Sequence, residues 1–310
     1  MFNRLRSLSK PPSPVDDGPS TSEPILEPPT NLLTPVASLD DSQQEKLASL
    51  REYVNGVMLP KDDEYYENEK GFLTDRTLSR YLRARKWDVP AATKMLDATI
   101  QWRRAEKPDL YDPEYISPEA ETGKMYFSGF DKVGRPIWIM RPRLENSKNA
   151  ERQIKHIVFS LERAIRLMPA GVENITIIVD FKDASSGHSP SVATCKKFLD
   201  ILSNHYPERL GKAYVVSAPW VFHATFKVIS VFMDPVTLNK IKFVYEKKED
   251  DNKDTERTET GNEWVHLENY INLDQLETVY GGSYNFKFDF DVYWNALLEH
   301  TGRPYKLIDY

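Results

Sequence analysis

Cysteine is almost missing from this 310-residue chain. The single Cys195 has no second thiol to pair with, which excludes an internal disulfide and leaves no pointer to an oxidising compartment. Long hydrophobic runs are missing too. No window holds 18 uninterrupted apolar residues and the N-terminus lacks the apolar stretch of a signal peptide, so the expected home is the cytosolic side of a membrane. A basic excess is absent: 41 Lys and Arg stand against 47 Asp and Glu, a formal charge of −6, which argues against a dedicated nucleic-acid binder. The Walker-type phosphate loop, G-x-G-x-x-G, H-E-x-x-H and G-x-S-x-G are all lacking, and the six histidines are scattered.

What is present can bury a sizeable core, with 40% hydrophobic residues and six Trp. Acidity concentrates in two stretches read as loops, Lys61–Lys70 with five acids against two bases and Glu249–Glu259 with six against two. Gly71–Arg104 runs the other way, with eight Lys or Arg against three Asp. Residues 1–39 carry eight prolines among Ser, Thr and Asp and read as a disordered tail. Its first ten residues mix Arg4, Arg6 and Lys10 with Phe2, Leu5 and Leu8; a solvated tail is the simpler reading, a weak interfacial anchor the alternative.

Periodicity and capping signals predict helices over Asp40–Met58, from Thr74 and Asp75 to about Lys86, and from Asp88-Val-Pro90 through Trp102, together a small N-terminal bundle. Beyond Tyr111 the pattern changes. Strands are expected at Met125–Phe130 and Ile137–Met140 around the turn Asp131–Gly134, then a helix over Ala150–Met168 and a buried strand over Asn174–Phe181. A helix at Ser191–Leu202, a strand at Ala213–Ser217, a helix at Trp220–Phe232 and a strand at Lys240–Tyr245 follow. The alternation predicts an α/β fold with helices layered on a sheet.

Three local features depart from a plain core. Trp220–Met233 is apolar except for Thr225 and a stripe of His223, Lys227 and Ser230 within about 60° on a helical wheel. At 14 residues it is too short to span a bilayer, and it reads either as a buried core helix or as a lid between a pocket and a membrane. On the helix before Lys86, Leu78, Tyr81 and Leu82 define the apolar face, and Arg85 projects onto it at about 20° from Leu78 while Arg80 and Arg83 project outward. An inward guanidinium needs an internal carboxylate or a ligand phosphate. Third, Asp234-Pro235 starts a helix on which Thr237 and Lys240 share a face, an arrangement suited to an anionic oxygen or simply to a capped turn.

Read in order, Phe72–Trp87, Asp131–Pro136, Tyr206–Lys212, Ala218-Pro-Trp220, Asp234–Thr237 and Tyr280-Gly-Gly282 resemble the CRAL-TRIO lipid-binding proteins, in particular the fungal phosphatidylinositol transfer proteins of the Sec-fourteen-like type. Tyr280–Phe288 and Asp291–Trp294 are similar to the subgroup tied to azole resistance. The resemblance spans roughly Leu47 to His300. It implies a disordered tail over 1–39, a helical N-terminal subdomain over 40–110, an α/β domain over 111–283 whose mixed sheet floors a lipid pocket, and a C-terminal helical extension over 284–310. It also implies an inositol-phosphate site at Arg85, Lys86, Glu208, Thr237 and Lys240, with Glu208 and the phosphate as company for Arg85. The pocket and its helical lid would include Phe127, Trp138, Trp220, Phe222, Phe226 and Phe232, with hinges at Gly211, Gly281 and Gly282. Phe127 and Trp138 stand where the family's choline-lipid binders carry phenols, which puts choline-lipid binding in doubt.

The implied activity is extraction and carriage of one phosphatidylinositol by a monomer that visits a membrane surface (endoplasmic reticulum, lipid droplet or cell periphery), with sterol as a second ligand and without cofactor, metal or turnover. The alternative is a lipid- or sterol-sensing scaffold that regulates a lipid kinase or another partner. Enzyme readings are weaker. Cys195 with His188 or His205 reads as an inert thiol on a helix, Asp289-Phe-Asp-Val292 as a capped helix start, and Asp180 with Asp183 lacks a third acidic ligand.

Overall fold

The N-terminal helices form where the sequence supplies both a cap and an apolar stripe. A computed structural model describes residues 18–30, 38–184, 192–218, 222, 226–227, 230–231, 233, 235–244 and 262–302, with backbone alone at 192, 193 and 195. Helix α1 (Asp41–Val57) opens with a capping box: the Asp40 carboxylate accepts the Gln43 N–H at 2.8 Å and the Gln43 side chain accepts the Asp40 N–H at 3.2 Å. Thr74 caps α3 (Asp75–Ala84), and Asp88 caps α4 (Val89–Glu106) with proline in its first turn. Leu50, Val54, Leu78, Tyr81, Leu82 and Leu96 pack between the three helices.

Two short helices escape the sequence pattern. Within the acidic stretch expected as a loop lies α2 (Tyr66–Phe72), and α5 (Pro113–Ala120) follows a cap at Asp112. The first forms because Glu69 turns inward, where it accepts the Arg104 guanidinium at 2.6 and 2.8 Å and the Leu59 N–H at 2.8 Å. The bundle is fastened to the rest of the chain by Arg103, which makes a two-pronged contact with Glu162 at 2.7 and 3.2 Å, while Tyr206 donates to the same carboxylate at 2.6 Å. Burial alone would raise the Glu162 carboxyl, but Arg103 beside it holds it below the usual range.

The sheet runs β1 (Met125–Phe130), β2 (Pro136–Met140), β3 (Ile175–Asp180), β4 (Leu210–Val216), β5 (Ile241–Val244) and β6 (Trp264–Val265), in sequence order across its width. β1 and β2 form an antiparallel hairpin and the remaining pairs are parallel, so the sheet is mixed. Each parallel crossover steps one strand in the same direction. Right-handed connections therefore lay α6 (Ala150–Leu167), α7 (Val192–His205), the helical residues near 222–230 and α8 (Pro235–Lys240) on one face. The other face is covered by residues 262–288, while the last element, α9 (Phe290–Thr301), capped by Asp289 as the sequence suggested, packs against α6 through the stacked rings of Trp294 and Phe159 and through Arg163, which donates to Gly302 O at 2.7 Å. Tyr293, Trp294, Leu297 and Leu298 of α9 belong to the main core, so the C-terminal part is a structural layer rather than an extension.

The disordered-tail reading fails over residues 18–30. Leu26 is buried in the main core, Ile25 O accepts the Gly129 N–H at 2.9 Å, and Thr21 exchanges backbone bonds with Asn285 and Lys287 at 3.0 and 2.8 Å. Proline-rich composition reports a chain unsuited to helix or inner strand; it does not exclude a strap along a sheet edge.

Candidate functional site

A strand sends alternate side chains to opposite faces, and here the two faces are finished differently. On the back face, Tyr126, Ile137, Ile139, Thr176, Ile178 and Tyr214 are all buried. On the helix-covered face, a row crosses the strands in register as Met125, Met140, Val179, Val215, Phe243 and Trp264. Val215 and Phe243 are buried, but Met125, Met140 and Val179 stay partly accessible although β2 and β3 are inner strands. Ala213 in the neighbouring row is likewise only partly covered. The result is an apolar floor with one end closed and the other uncovered.

Aromatic residues from the lid segment close that end. Phe222 lies 4.3 Å from the Phe181 ring and 5.7 Å from Phe226, and Phe226 meets Phe243 edge-on at 5.9 Å. Lys227 of the predicted polar stripe is exposed, and Val231 is 74% exposed. Trp220, His223, Phe232 and Asp234 lie outside the described residues. Phe127 and Trp138, expected to line the pocket, are instead fully buried, stacked on each other at 5.6 Å within the main core. They share the floor's face, but Met125 and Met140, two residues along in each strand, are the accessible pair.

Of the expected headgroup residues, Glu208 and Lys240 stand just ahead of β4 and β5, and Arg85 and Lys86 follow the end of α3. α3 grips the loop before β4: Tyr81 donates to His205 O at 3.1 Å and Arg80 to Pro207 O at 3.1 Å. Glu208 follows in that loop, half-buried with a φ of +61°, and Lys240 ends α8 immediately before β5. The inward arginine is Arg80, 2% exposed, and not Arg85. α3 stops at Ala84, Arg85 has φ −114° and its guanidinium donates to Ala84 O at 3.1 Å, and Lys86 and Trp87 turn left-handed at +53° and +63°. The wheel projection fails once the helix has ended. Burial and the neighbouring Arg209 pull Arg80 down to about 9. Among the described residues no hydrogen bond or ion pair joins Arg85 or Lys86 to Glu208 or Lys240. Thr237, half-buried on α8, completes the set.

The three expected hinge glycines sit where close packing or backbone geometry calls for glycine. Gly211 is the extra residue of a bulge, since Leu210 pairs with Ile175 and Lys212 with Thr176. Gly281 has φ +89°, and a Cβ at Gly282 would fall 1.8 Å from Leu276 O. Asp180, weighed as a metal ligand, is held by Arg143 at 2.9 Å and Tyr280 at 3.1 Å, and no cluster of three metal-type ligands occurs among the described residues. The Cys195 side chain is not described.

Sequence reasoning missed a cavity of about 690 Å³ between α4, α6 and α7, walled by Trp102, Tyr111, Ile154, Val158 and Ile201 with Lys155 and Lys197 at its edge. Its walls come from three separate helices, so no local pattern announces it. No helix among the described residues is long and apolar enough to cross a membrane.

Comparison with known proteins adds the following. The pattern of the CRAL/TRIO domain matches residues 120–282, and that of the CRAL/TRIO N-terminal domain matches residues 46–98. A CRAL-TRIO domain-containing protein of Schizosaccharomyces pombe is 41% identical over 239 residues, 77% of this chain but 22% of that protein. Phosphatidylinositol transfer protein PDR17 of Saccharomyces cerevisiae is 30% identical over 305 residues, which span 89% of this chain and 81% of that protein. The crystal structure of Sfh5 superposes with a TM-score of 0.52 at 18% identity, covering 73% of this chain and 96% of Sfh5, a likeness of fold.

Proposed function

This chain belongs to the CRAL-TRIO family, and from that premise we propose that it takes one phospholipid of the phosphatidylinositol type from a membrane, holds it over the accessible apolar floor, and carries or presents it without chemical turnover. Relatives named as phosphatidylinositol transfer proteins support the ligand class. The observation that carries the reading is the unfinished floor: Met125, Met140 and Val179 are apolar and partly uncovered, the last two on inner strands, on the face where Phe226 packs against Phe243.

Acyl methylenes are each worth about 0.8 kcal/mol out of water. A bilayer already hides them, so their passage into an apolar pocket is close to neutral and selectivity falls to the headgroup. Lys86 and Lys240 supply cations and Glu208 an acceptor for inositol hydroxyls, each charge-assisted bond contributing about 1.5–3 kcal/mol. The lid opens where a membrane covers its apolar side and closes in water.

Vesicle-to-vesicle transfer of phosphatidylinositol tests this. The double variant Lys86→Ala, Lys240→Ala is expected to lose transfer while keeping the wild-type circular dichroism spectrum, since Lys86 is exposed and Lys240 half-exposed. Wild-type transfer rates in that variant refute the headgroup site. Mass spectrometry of co-purified lipid that finds only sterol refutes the ligand.

A further inference from the structure

The back face of the sheet carries a cluster of cations that the lid-side site does not use. Its origin is the bulge at Gly211. A Cβ there would stand 2.6 Å from both Cδ and Nε of Arg135, so the missing side chain leaves the space in which Arg135 lies beside β4. The next residue, Lys212, pairs with Thr176 and so points to the back face. Lys242 pairs with Tyr214 and points the same way, two residues beyond Lys240.

Nearby carboxylates are already engaged. Asp131 Oδ1 accepts the N–H groups of Val133 and Arg135 at 3.0 Å each, its Oδ2 accepts the Thr176 hydroxyl at 2.7 Å, and Arg135 reaches it only at 3.5 Å. Glu263 pairs with Lys242 at 2.6 Å. Lys212 is left with no hydrogen bond or ion pair among the described residues. Its ammonium is pushed below the usual lysine range, by burial first and then by Lys242 and Arg135. The Tyr214 hydroxyl is a second, independent oddity: fully buried on this face, within electrostatic range of Asp131 and Arg135, it has no hydrogen-bond partner among the described residues.

Like charges gathered around an orphaned donor are unfavourable unless an anion joins them. We propose that Arg135, Lys212 and Lys242 form a second anion seat, on the face opposite the lid, that takes a phosphomonoester: the ring phosphate of a phosphorylated inositol headgroup on a membrane, or soluble phosphate. A planar guanidinium and two ammonium groups suit a tetrahedral dianion, which accepts from both kinds of donor. Because the seat and the apolar floor lie on opposite faces, occupation of one leaves the other open, and the chain can engage an anionic surface while loaded.

The test uses the full chain and its variant Lys212→Gln, Lys242→Gln. Co-sedimentation is measured with phosphatidylcholine vesicles containing phosphatidylinositol 4-phosphate and with vesicles containing unphosphorylated phosphatidylinositol. Titration calorimetry is run with inorganic phosphate. The wild type is expected to prefer the phosphorylated vesicles, and the variant to bind them at least tenfold more weakly with its melting temperature and phosphatidylinositol transfer unchanged. Phosphate heat lost in the variant without any vesicle preference in the wild type assigns the seat to a soluble anion. A variant equal to wild type in both assays, or a wild type that binds neither probe, overturns the seat. Transfer by the wild type is read separately, so failure of the carrier reading is told apart from failure of the seat.

Discussion

On its back the sheet is closed by residues 262–288 through directional bonds, whereas across its other face the same strands meet Phe222 and Phe226 through aromatic contact. Arg141, at the end of β2, donates to Glu277 at 2.7 Å and to the Tyr280 hydroxyl at 3.2 Å, and Tyr126 donates to the same glutamate at 2.7 Å. The described lid contacts are Phe181, Phe222, Phe226 and Phe243, with ring separations of 4.3 to 6.3 Å. Hydrogen-bonded ion pairs fix one geometry; apolar contact is non-directional and can be exchanged for other apolar contact. The difference teaches that alternation along one set of strands can build a permanent layer and a replaceable one at once.

The comparison is broken most sharply at Arg141. Arg141→Ala leaves Glu277 buried without its cation and is expected to cost about 3–5 kcal/mol in urea unfolding; a loss under 1 kcal/mol would show that the back layer is not fastened there. Next comes a contrast between neighbours on opposite faces. Ile178→Ala empties space in a sealed layer and should cost about 2–5 kcal/mol, while Val179→Ala, on the uncovered floor, should cost about 1 kcal/mol. Equal losses would mean the two faces are equally packed.

A pH-dependent effect tests the layer that α6 forms. His156 on that helix is buried, and burial, followed by Lys124, lowers its pKa to about 3. In the unfolded chain it titrates near 6.5, so between those values the unfolded state binds more protons and stability falls as pH falls. Between pH 6.5 and 5 the wild type should lose about 2 kcal/mol more than His156→Phe, read from urea midpoints at the two pH values. A parallel decline in both proteins would remove His156 as the cause.

Much of the fold was legible because capping residues and periodicity are local. Asp40, Thr74, Asp88 and Asn149 each accept the N–H three residues on, and the helices they open start within a residue or two of expectation, although α4 runs four residues past the expected end at Trp102. Helices α2 and α5 are too short to show a period and depend on Glu69 and Asp112 finding partners. The site was legible in outline and not in detail. Parity put Phe127 and Met125 on one face, but which of them is covered depends on where α6 and the lid cross, information no strand contains. Arg80 is inward because the loop ahead of β4 lies over it, and Lys212 meets Arg135 only through a register shift. These are long-range facts, and one-dimensional patterns do not carry them.

The strap from Gly18 to Thr30 meets β1, the outermost strand of the sheet, at Ile25, whose carbonyl takes the Gly129 N–H, and its Pro24, Pro28 and Pro29 offer no amide hydrogens to a newcomer. A naked outer strand is a template for another chain's strand. A version of this protein trimmed past residue 30 would accordingly trade a shielded border for an adhesive one, and its first symptom would be self-association on concentration rather than any change in what it binds.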